Sequence, residues 1–386
     1  MNKLINKLRI LGSGFTEDEY NLYRFDLLDN PDDAMRFISN RLNHCIFQPA
    51  VNRGYQQHVL EDKWITHHYL TSMRLPVPRT YGLYHPVFGE TPDGKPLTEP
   101  DHVAELLETE LPVCLFLKPR GGRKGSNVIR AELHKSIDGH IEVSAEGIVQ
   151  QLDMFLQTLP QDAFGYYAGC YHGWLLQGYI PQHGFLNRIN PHTINTLRII
   201  TFIDSQDNIQ IQHAILRLGR QGGTADNWEK GGLSVAIDHV TGRLGRGVFK
   251  PQYSGAWASE HPDTGICFEG LILPEWSSVL DTCRRAAALF SGTRTVGWDI
   301  ALSTDGPVII EGNSDWGVPS VQVHTSGYLT DSVRRELVNF GVKLPDRAKS
   351  LPMALVALLV YQWRRSRAPR LLNALHERIR NPFRVT

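Results

Sequence analysis

GWDIALSTDGPVIIEGN, residues 297–313, is the stretch of this 386-residue chain that decides the reading of its fold. Two runs of strand formers flank Thr304-Asp305-Gly306, which reads as a three-residue hairpin loop with glycine in the left-handed position. With Ser303 set opposite Pro307, the register puts Asp299 directly across from Glu311. Side chains alternate faces along a strand, so Asn313 shares the face of Glu311. Carboxylates about 5 Å apart on one face repel one another and weaken a hairpin. A hard divalent cation between them removes that penalty, with Asn313 adding a neutral oxygen; Mg²⁺ held by carboxylates and substrate phosphates suits the set. A solvated acidic face is the competing reading. The apolar neighbours Trp298, Ile300, Ile309 and Ile310 weigh against it.

Upstream, VCLFLKPRGGRKGSNVIR carries an apolar strand (113–117) into a glycine-rich turn and out along a second strand. Lys118 stands at the mouth of that turn. Glycines let backbone N–H groups approach phosphate oxygens, and lysine adds a point charge. The spacing is not that of a P-loop, and a mobile basic hairpin tip is an equal alternative when the segment is taken alone. Trp174 to Pro181 is an apolar strand able to offer backbone groups to the edge of a flat ring, or simply a buried strand. Arg198, within Asn195 to Phe202, interrupts another apolar strand and needs an anion, either an acidic side chain or a phosphate. Ala225 to Gly232 is a polar, glycine-bearing connection of the kind that closes over substrate, or a plain loop.

The remaining pattern gives an α+β layout. Helices are expected over about 61–73, 144–158 and 274–290, a loop over 86–101, and a helical, polar stretch over the first 55 or so residues. Strand signals dominate from Trp174 onward. Forty Lys+Arg balance forty Asp+Glu, hydrophobic residues make up 41% and charged residues 21%. That excludes a disordered chain and a globally basic nucleic-acid binder. Five scattered cysteines with no C-x-x-C pair argue against a disulfide framework or a structural zinc, and for reduced thiols in the cytoplasm. The first residues do not read as a secretory signal, and no run reaches the ~18 apolar residues of a membrane span. Residues 351–363 are nearly all apolar and precede Arg364, Arg365, Arg367, Arg370, Arg378, Arg380 and Arg384, opposed by Glu377 alone. Such a tail fits peripheral contact with an anionic membrane, or a helix docked on the protein body.

Taken in order, these segments resemble the ATP-grasp superfamily, and within it the sugar-transfer-associated branch, over about residues 55–330. The resemblance implies an ATP-grasp fold in which two α+β lobes clasp ATP, with helical extensions at both ends. The corresponding divisions are 1–55, 56–173, 174–345 and 346–386. Lys63 and Lys118 are similar to the superfamily's two nucleotide-contacting lysines. Gly121, Gly122, Lys124, Gly125 and Ser126 are similar to its phosphate-covering loop. Gln177, Gly178, Tyr179 and Ile180 fall where the family's hinge holds adenine, with Gln177 in place of the usual ribose-binding Glu. Arg198 is similar to the arginine directed at the transferring phosphoryl group. Asn227 with Lys230-Gly231-Gly232 resembles the N-x-x-[RK]-G-G loop, so Asp226, Asn227, Gly231 and Gly232 are expected at the substrate. Lys230 joins Arg198 and Lys118 as an expected catalytic cation. Asp299, Glu311 and Asn313 resemble the magnesium triad, holding one or two ions.

The implied activity is a carboxylate ligase acting through an acyl phosphate, with ADP and phosphate as products, in surface-polysaccharide or cell-envelope precursor modification. Its partners would be a small or sugar-linked carboxylate and an amine or other nucleophile, with no nucleic acid. The implied place is the cytoplasm, including the inner face of the membrane. A phosphotransferase and a non-catalytic nucleotide-binding regulator are the alternatives. No general base follows from the pattern.

Overall fold

Alternation along VCLFLKP buries Leu115 and Leu117 on one face and leaves Phe116 and Lys118 partly open on the other. That asymmetry organises the first of two antiparallel sheets. The computed structural model describes residues 2–122, 128–160, 162–164, 170–222, 226 and 228–365. Contacts between residues divide the chain into two units, 48–316 and 1–47 with 317–386.

Unit 48–316 holds both large sheets. The first runs β1 (Thr80–Tyr84), β8 (Trp174–Gly178), β2 (Val113–Pro119), β3 (Ile129–Lys135), β4 (Ile141–Ala145), β5 (Ile148–Gln151). Helices Pro100–Leu107 and Leu152–Gln157 cover its apolar face, where Val103, Leu107, Leu115, Leu117, Leu156 and Leu176 form one core. The second sheet runs β13 (Trp257–Ala258), β12 (Leu244–Phe249), β11 (Leu233–Ile237), β10 (Ile209–Leu218), β9 (Thr196–Ile203), β14 (Thr295–Ser303), β15 (Gly306–Asn313). Helix Trp276–Leu289 lies on it, packing Val279, Cys283 and Ala286 with Leu197, Ile199 and Trp298. Each such fully buried aliphatic side chain stabilises the fold by roughly 1.5–3 kcal/mol. A short hairpin, β6 (Asp162–Phe164) with β7 (Cys170–His172), completes the strands described.

Two expectations change. Residues 144–158 are not one helix: Glu146 and Gly147, with φ of 51° and 81°, form the two-residue turn of the β4–β5 hairpin, and the helix begins only at Leu152. Both central residues with positive φ is the hairpin geometry that matches strand twist. The 297–313 hairpin closes on Thr304-Asp305 alone, with Ser303 opposite Gly306. That register is one residue away from the expected one. A bulge at Ile310 then restores it, because Ile300 pairs with Ile309 while Asp299 pairs with Glu311.

In the other unit, helix Asn2–Gly12 packs on helix Leu351–Arg365. Gly12 is needed there, since a Cβ on it would lie 2.4 Å from the Cβ of Ala354. An aromatic cluster of Phe15, Tyr20, Tyr23, Phe25 and Phe37 fills its interior. Among the described residues no helix is long and apolar enough to cross a membrane. Residues 366–386, with five of the seven tail arginines, lie outside the described residues.

Candidate functional site

Four adjacent strands of the second sheet carry charge on one face. Asp299 of β14 pairs with Arg198 of β9 on one side and with Glu311 of β15 on the other. Arg217 of β10 pairs with Thr196 of β9. Cross-strand partners have Cβ atoms close enough for side chains to meet, and here they do. Arg198 donates through Nε and Nη2 to the two Asp299 oxygens, the second at 3.0 Å. Arg217 Nη2 reaches Asp299 Oδ2 at 2.8 Å. Arg217 also donates from Nε and Nη2 to Thr196 Oγ1, at 2.9 and 2.7 Å. Asp226 accepts from the Thr196 amide at 2.7 Å and from its hydroxyl, and lies 3.7 Å from Arg217 Nε.

Burial opposes ionisation of Asp299, but the Arg198 and Arg217 guanidiniums overcome it and hold its pKa at about 2. Burial dominates for Asp226, whose pKa is raised despite Arg217. Removing charges from water is costly, and only this dense mutual pairing offsets it. At the cleft edge, Asn313 Nδ2 donates to Glu311 Oε1 at 3.1 Å. Gly312 separates them because the Trp298 ring would be 2.6 Å from a Cβ there.

Helix Lys63–Ser72, β2 and the turn after β2 supply the cations Lys63, Lys118 and Arg120. Asp62 caps helix Lys63–Ser72, accepting from Ile65 N at 3.2 Å, and binds Arg120 bidentately at 2.8–3.0 Å. That pair ties the helix start to the turn after β2, where Lys63 N donates to Arg120 O. Lys63 Nζ in turn donates to Gly122 O at 2.8 Å. Burial lowers the Lys118 pKa to about 8, against the attraction of Glu311. One small cleft is lined by Leu60, Glu61, Lys63, Gly122, Glu311 and Asn313, with Gly312 and Ser314. Gly121 lies against the Tyr171 ring, which is 2.6 Å from where a Cβ would be.

Gln177 is redirected. Its side chain is 1% exposed, with Nε2 2.9 Å from His67 Nδ1 and 3.1 Å from Thr80 Oγ1. Helix Lys63–Ser72 covers this face of β8, with Trp64 packed against Leu175 and His67 against Gln177, so the Gln177 side chain is turned into the protein rather than toward a ribose. Gly178 and Tyr179 continue the strand, donating to Arg79 O and Cys114 O. Tyr179 is 53% exposed and stacks on Phe116, ring centroids 6.3 Å apart, while Ile180 is half-buried. Lys230 is exposed at the end of the 3₁₀ turn Trp228–Lys230. Gly231, at φ 92°, lies beside the Tyr253 ring, and Gly232 precedes β11. Lys124, Gly125, Ser126 and Asn227 lie outside the described residues.

Sequence reasoning passed over Arg217, Thr196, the Asp62–Arg120 pair and His67. Arg217 had a signal: it interrupts the apolar run AILRL as Arg198 interrupts TLRII. His67 had none, being one of sixteen histidines.

An all-oxygen set of Glu311 and Asn313, with Asp299 on the same face, has the donor chemistry of a hard divalent cation. Lysines and arginines facing such a set suit a bound polyphosphate. A family model described as sugar-transfer associated ATP-grasp matches residues 43–335. No curated protein matches the chain. Among solved structures, N5-carboxyaminoimidazole ribonucleotide synthetase from Thermotoga maritima is similar at 10% identity and TM-score 0.37, covering 82% of this chain and 59% of that one. D-alanine–D-alanine ligase from Bacillus anthracis is similar at 14% identity and TM-score 0.34, covering 79% and 70%. Biotin carboxylase from Campylobacter jejuni is similar at 12% identity and TM-score 0.41, covering 75% and 48%. The chain thus spans less than two thirds of the Thermotoga synthetase and of the Campylobacter carboxylase. With its family model matched over most of its length, the chain belongs to the sugar-transfer associated ATP-grasp family.

Proposed function

We propose that the chain is an ATP-dependent carboxylate–amine ligase that modifies a surface-polysaccharide or cell-envelope precursor. The observation that carries this reading is the single cleft shared by Lys63, Gly122, Glu311 and Asn313, with Asp299 and its two arginines behind Glu311. A substrate carboxylate oxygen attacks the γ-phosphorus; the bond to the β-bridging oxygen breaks and ADP leaves. The amine then attacks the acyl carbon, the C–O bond to phosphate breaks, and the nitrogen gives up a proton.

Lys63 and Lys118 bind and orient the phosphates, and Arg198 offsets charge on the moving phosphoryl group. Arg217 is braced by Thr196 and Asp226, so it stays on Asp299 while Arg198 turns toward phosphate. Asp299, Glu311 and Asn313 would hold the divalent cation, which when bound offsets phosphate charge. Gly121 and Gly122 bring backbone close to the nucleotide, and Gly178 to Ile180 flank its base. Asp226 acts through Thr196 and Arg217 rather than on substrate. Lys230 is read as a further catalytic cation, and Gly231 and Gly232 as backbone contacts to the acceptor.

Residues 351–386 are the proposed membrane contact. Met353, Val356, Leu359 and Val360 are 59, 57, 66 and 45% exposed on a helix followed by the arginine-rich tail. Such an apolar face with following cations suits an anionic surface. Purified protein with Mg-ATP and pooled carboxylates and amines tests the activity. ADP that requires both pools supports the ligase. A phosphorylated product without amine supports a phosphotransferase instead.

A further inference from the structure

β15 is the edge strand of its sheet, so backbone groups on its outer side lack a strand partner. Two are satisfied from segments near the first sheet. Ile309 N donates to Pro76 O at 2.8 Å. The carbonyl of Ile310, the bulged residue, lies 3.0 Å from His67 Nε2. A carbonyl only accepts, so Nε2 carries the proton and Nδ1 is left to accept from the Gln177 amide at 2.9 Å. Both ring nitrogens are spent, and the ring is 3% exposed. Burial, with Lys118 adding to it, pushes the His67 pKa down to about 3, consistent with a neutral ring.

The contact falls at a sensitive place. Without the extra residue at Ile310, the outer register of the hairpin would continue, and Asp299 would face Ile310 instead of Glu311. A one-residue slip moves every side chain to the other face. The bulge therefore sets where Glu311 points, and His67 holds its free carbonyl. The other end of the same ring holds Gln177, on the strand that leads to Gly178 and Tyr179. His67 lies four residues from Lys63 on one helix.

We propose that His67 is a positioning residue of this site: by fixing the Ile310 carbonyl it keeps Glu311 opposite Asp299 in cation-binding register, and through Gln177 it ties that register to β8. The proposal rests on the reading of Glu311 as a cation ligand. Second groups that orient a metal ligand commonly matter about 10–100-fold in metal affinity.

The experiment compares full-length His67→Gln, whose amide reaches the Nε2 position, with His67→Asn, one methylene too short to reach Ile310. Both are small and polar, so each folds where a bulkier replacement fails. Mn²⁺ affinity is measured by electron paramagnetic resonance in the presence of a non-hydrolysable ATP analogue. Amide hydrogen exchange is measured over 309–313 without metal or nucleotide. Expected is about a tenfold weaker Mn²⁺ affinity and faster exchange in 309–313 for His67→Asn, with His67→Gln within about threefold of wild type. Equal exchange in both variants and wild type overturns the positioning role, whatever the metal result. Equal Mn²⁺ affinity in both variants also overturns it, provided Glu311→Gln weakens Mn²⁺. If Glu311→Gln leaves Mn²⁺ affinity unchanged, the cation reading itself fails, and the exchange result alone then decides whether His67 holds the bulge.

Discussion

Arg217 Nη2 and Asp299 Oδ2 meet at 2.8 Å across an intervening strand, although neither residue is the backbone partner of the other. The strand between them, β9, contributes Arg198 to the same carboxylate. One buried aspartate thus serves two arginines, and the two differ in what else holds them. Arg217 is fixed by Thr196 and Asp226, whereas Arg198 depends on Asp299.

Losing Arg217 should therefore act first on stability. Arg217→Met leaves Asp226 buried without its cation and is expected to cost about 3 kcal/mol. Adding Asp226→Asn removes the uncompensated charge and should recover about 1 kcal/mol or more of that loss. Urea unfolding midpoints of the two variants check this. Midpoints equal to wild type would show that the cluster contributes nothing to the fold.

Losing Arg198 should act first on turnover. Arg198→Met is expected to lower kcat about 100-fold or more, the effect typical of removing one transition-state donor. The KM for ATP should change by less than about threefold, because Lys63 and Lys118, the proposed contacts to ground-state phosphates, remain. A large rise in KM with kcat preserved would assign Arg198 to binding instead.

Lys118 gives a pH signature. Its pKa is lowered by burial to about 8, with Glu311 and Asp299 opposing and Lys63 reinforcing the shift. The side chain is mostly charged at pH 7 and loses its proton as pH rises through 8. The charge proposed to bind phosphate is therefore present below that pH and lost above it. The value of kcat/KM for ATP should fall above pH 8 by roughly tenfold per unit, since this ratio reports the free enzyme. Lys118→Met should be weak throughout and lack this limb. A flat profile to pH 10 in the wild type contradicts the assignment.

How much of this was legible follows from the range of each signal. The 297–313 hairpin and the facing of Asp299 and Glu311 are readable, because strand period and turn residues lie within one short segment. The bulge at Ile310 is not. Both registers satisfy alternation, and tertiary contacts from Pro76 and His67 decide between them. The β4–β5 hairpin was hidden by helix-favouring residues around Glu146-Gly147, where backbone φ, rather than composition, sets the turn. Lys118 stood out beside glycine and proline punctuation, whereas Lys63, within EDKWIT, was singled out by the family resemblance alone. Arg217 was legible by the logic applied to Arg198, and Gln177 shows the converse: its position on the strand was readable, but its burial depended on His67, distant in sequence.

Gly312 offers a test of packing beneath the proposed cation ligands. A Cβ there meets the Trp298 ring at 2.6 Å and Leu60 at 3.0 Å. Gly312→Ala should destabilise the fold by about 1–3 kcal/mol through overpacking. It should also raise the Mg²⁺ concentration needed for half-maximal turnover, because the displaced backbone carries Glu311 and Asn313. Unchanged thermal midpoint and unchanged Mg²⁺ dependence would mean that the ring moves aside freely.

The most direct measurement is Mg²⁺-dependent release of ADP from ATP by wild type and Glu311→Gln, each supplied with the carboxylate and amine pools and matched for folding by circular dichroism. The expected result is ADP from wild type only when both pools are present, and a loss of about 100-fold or more in Glu311→Gln. Equal ADP release by the two proteins, or none from wild type across the pools, would contradict the ligase reading at its centre.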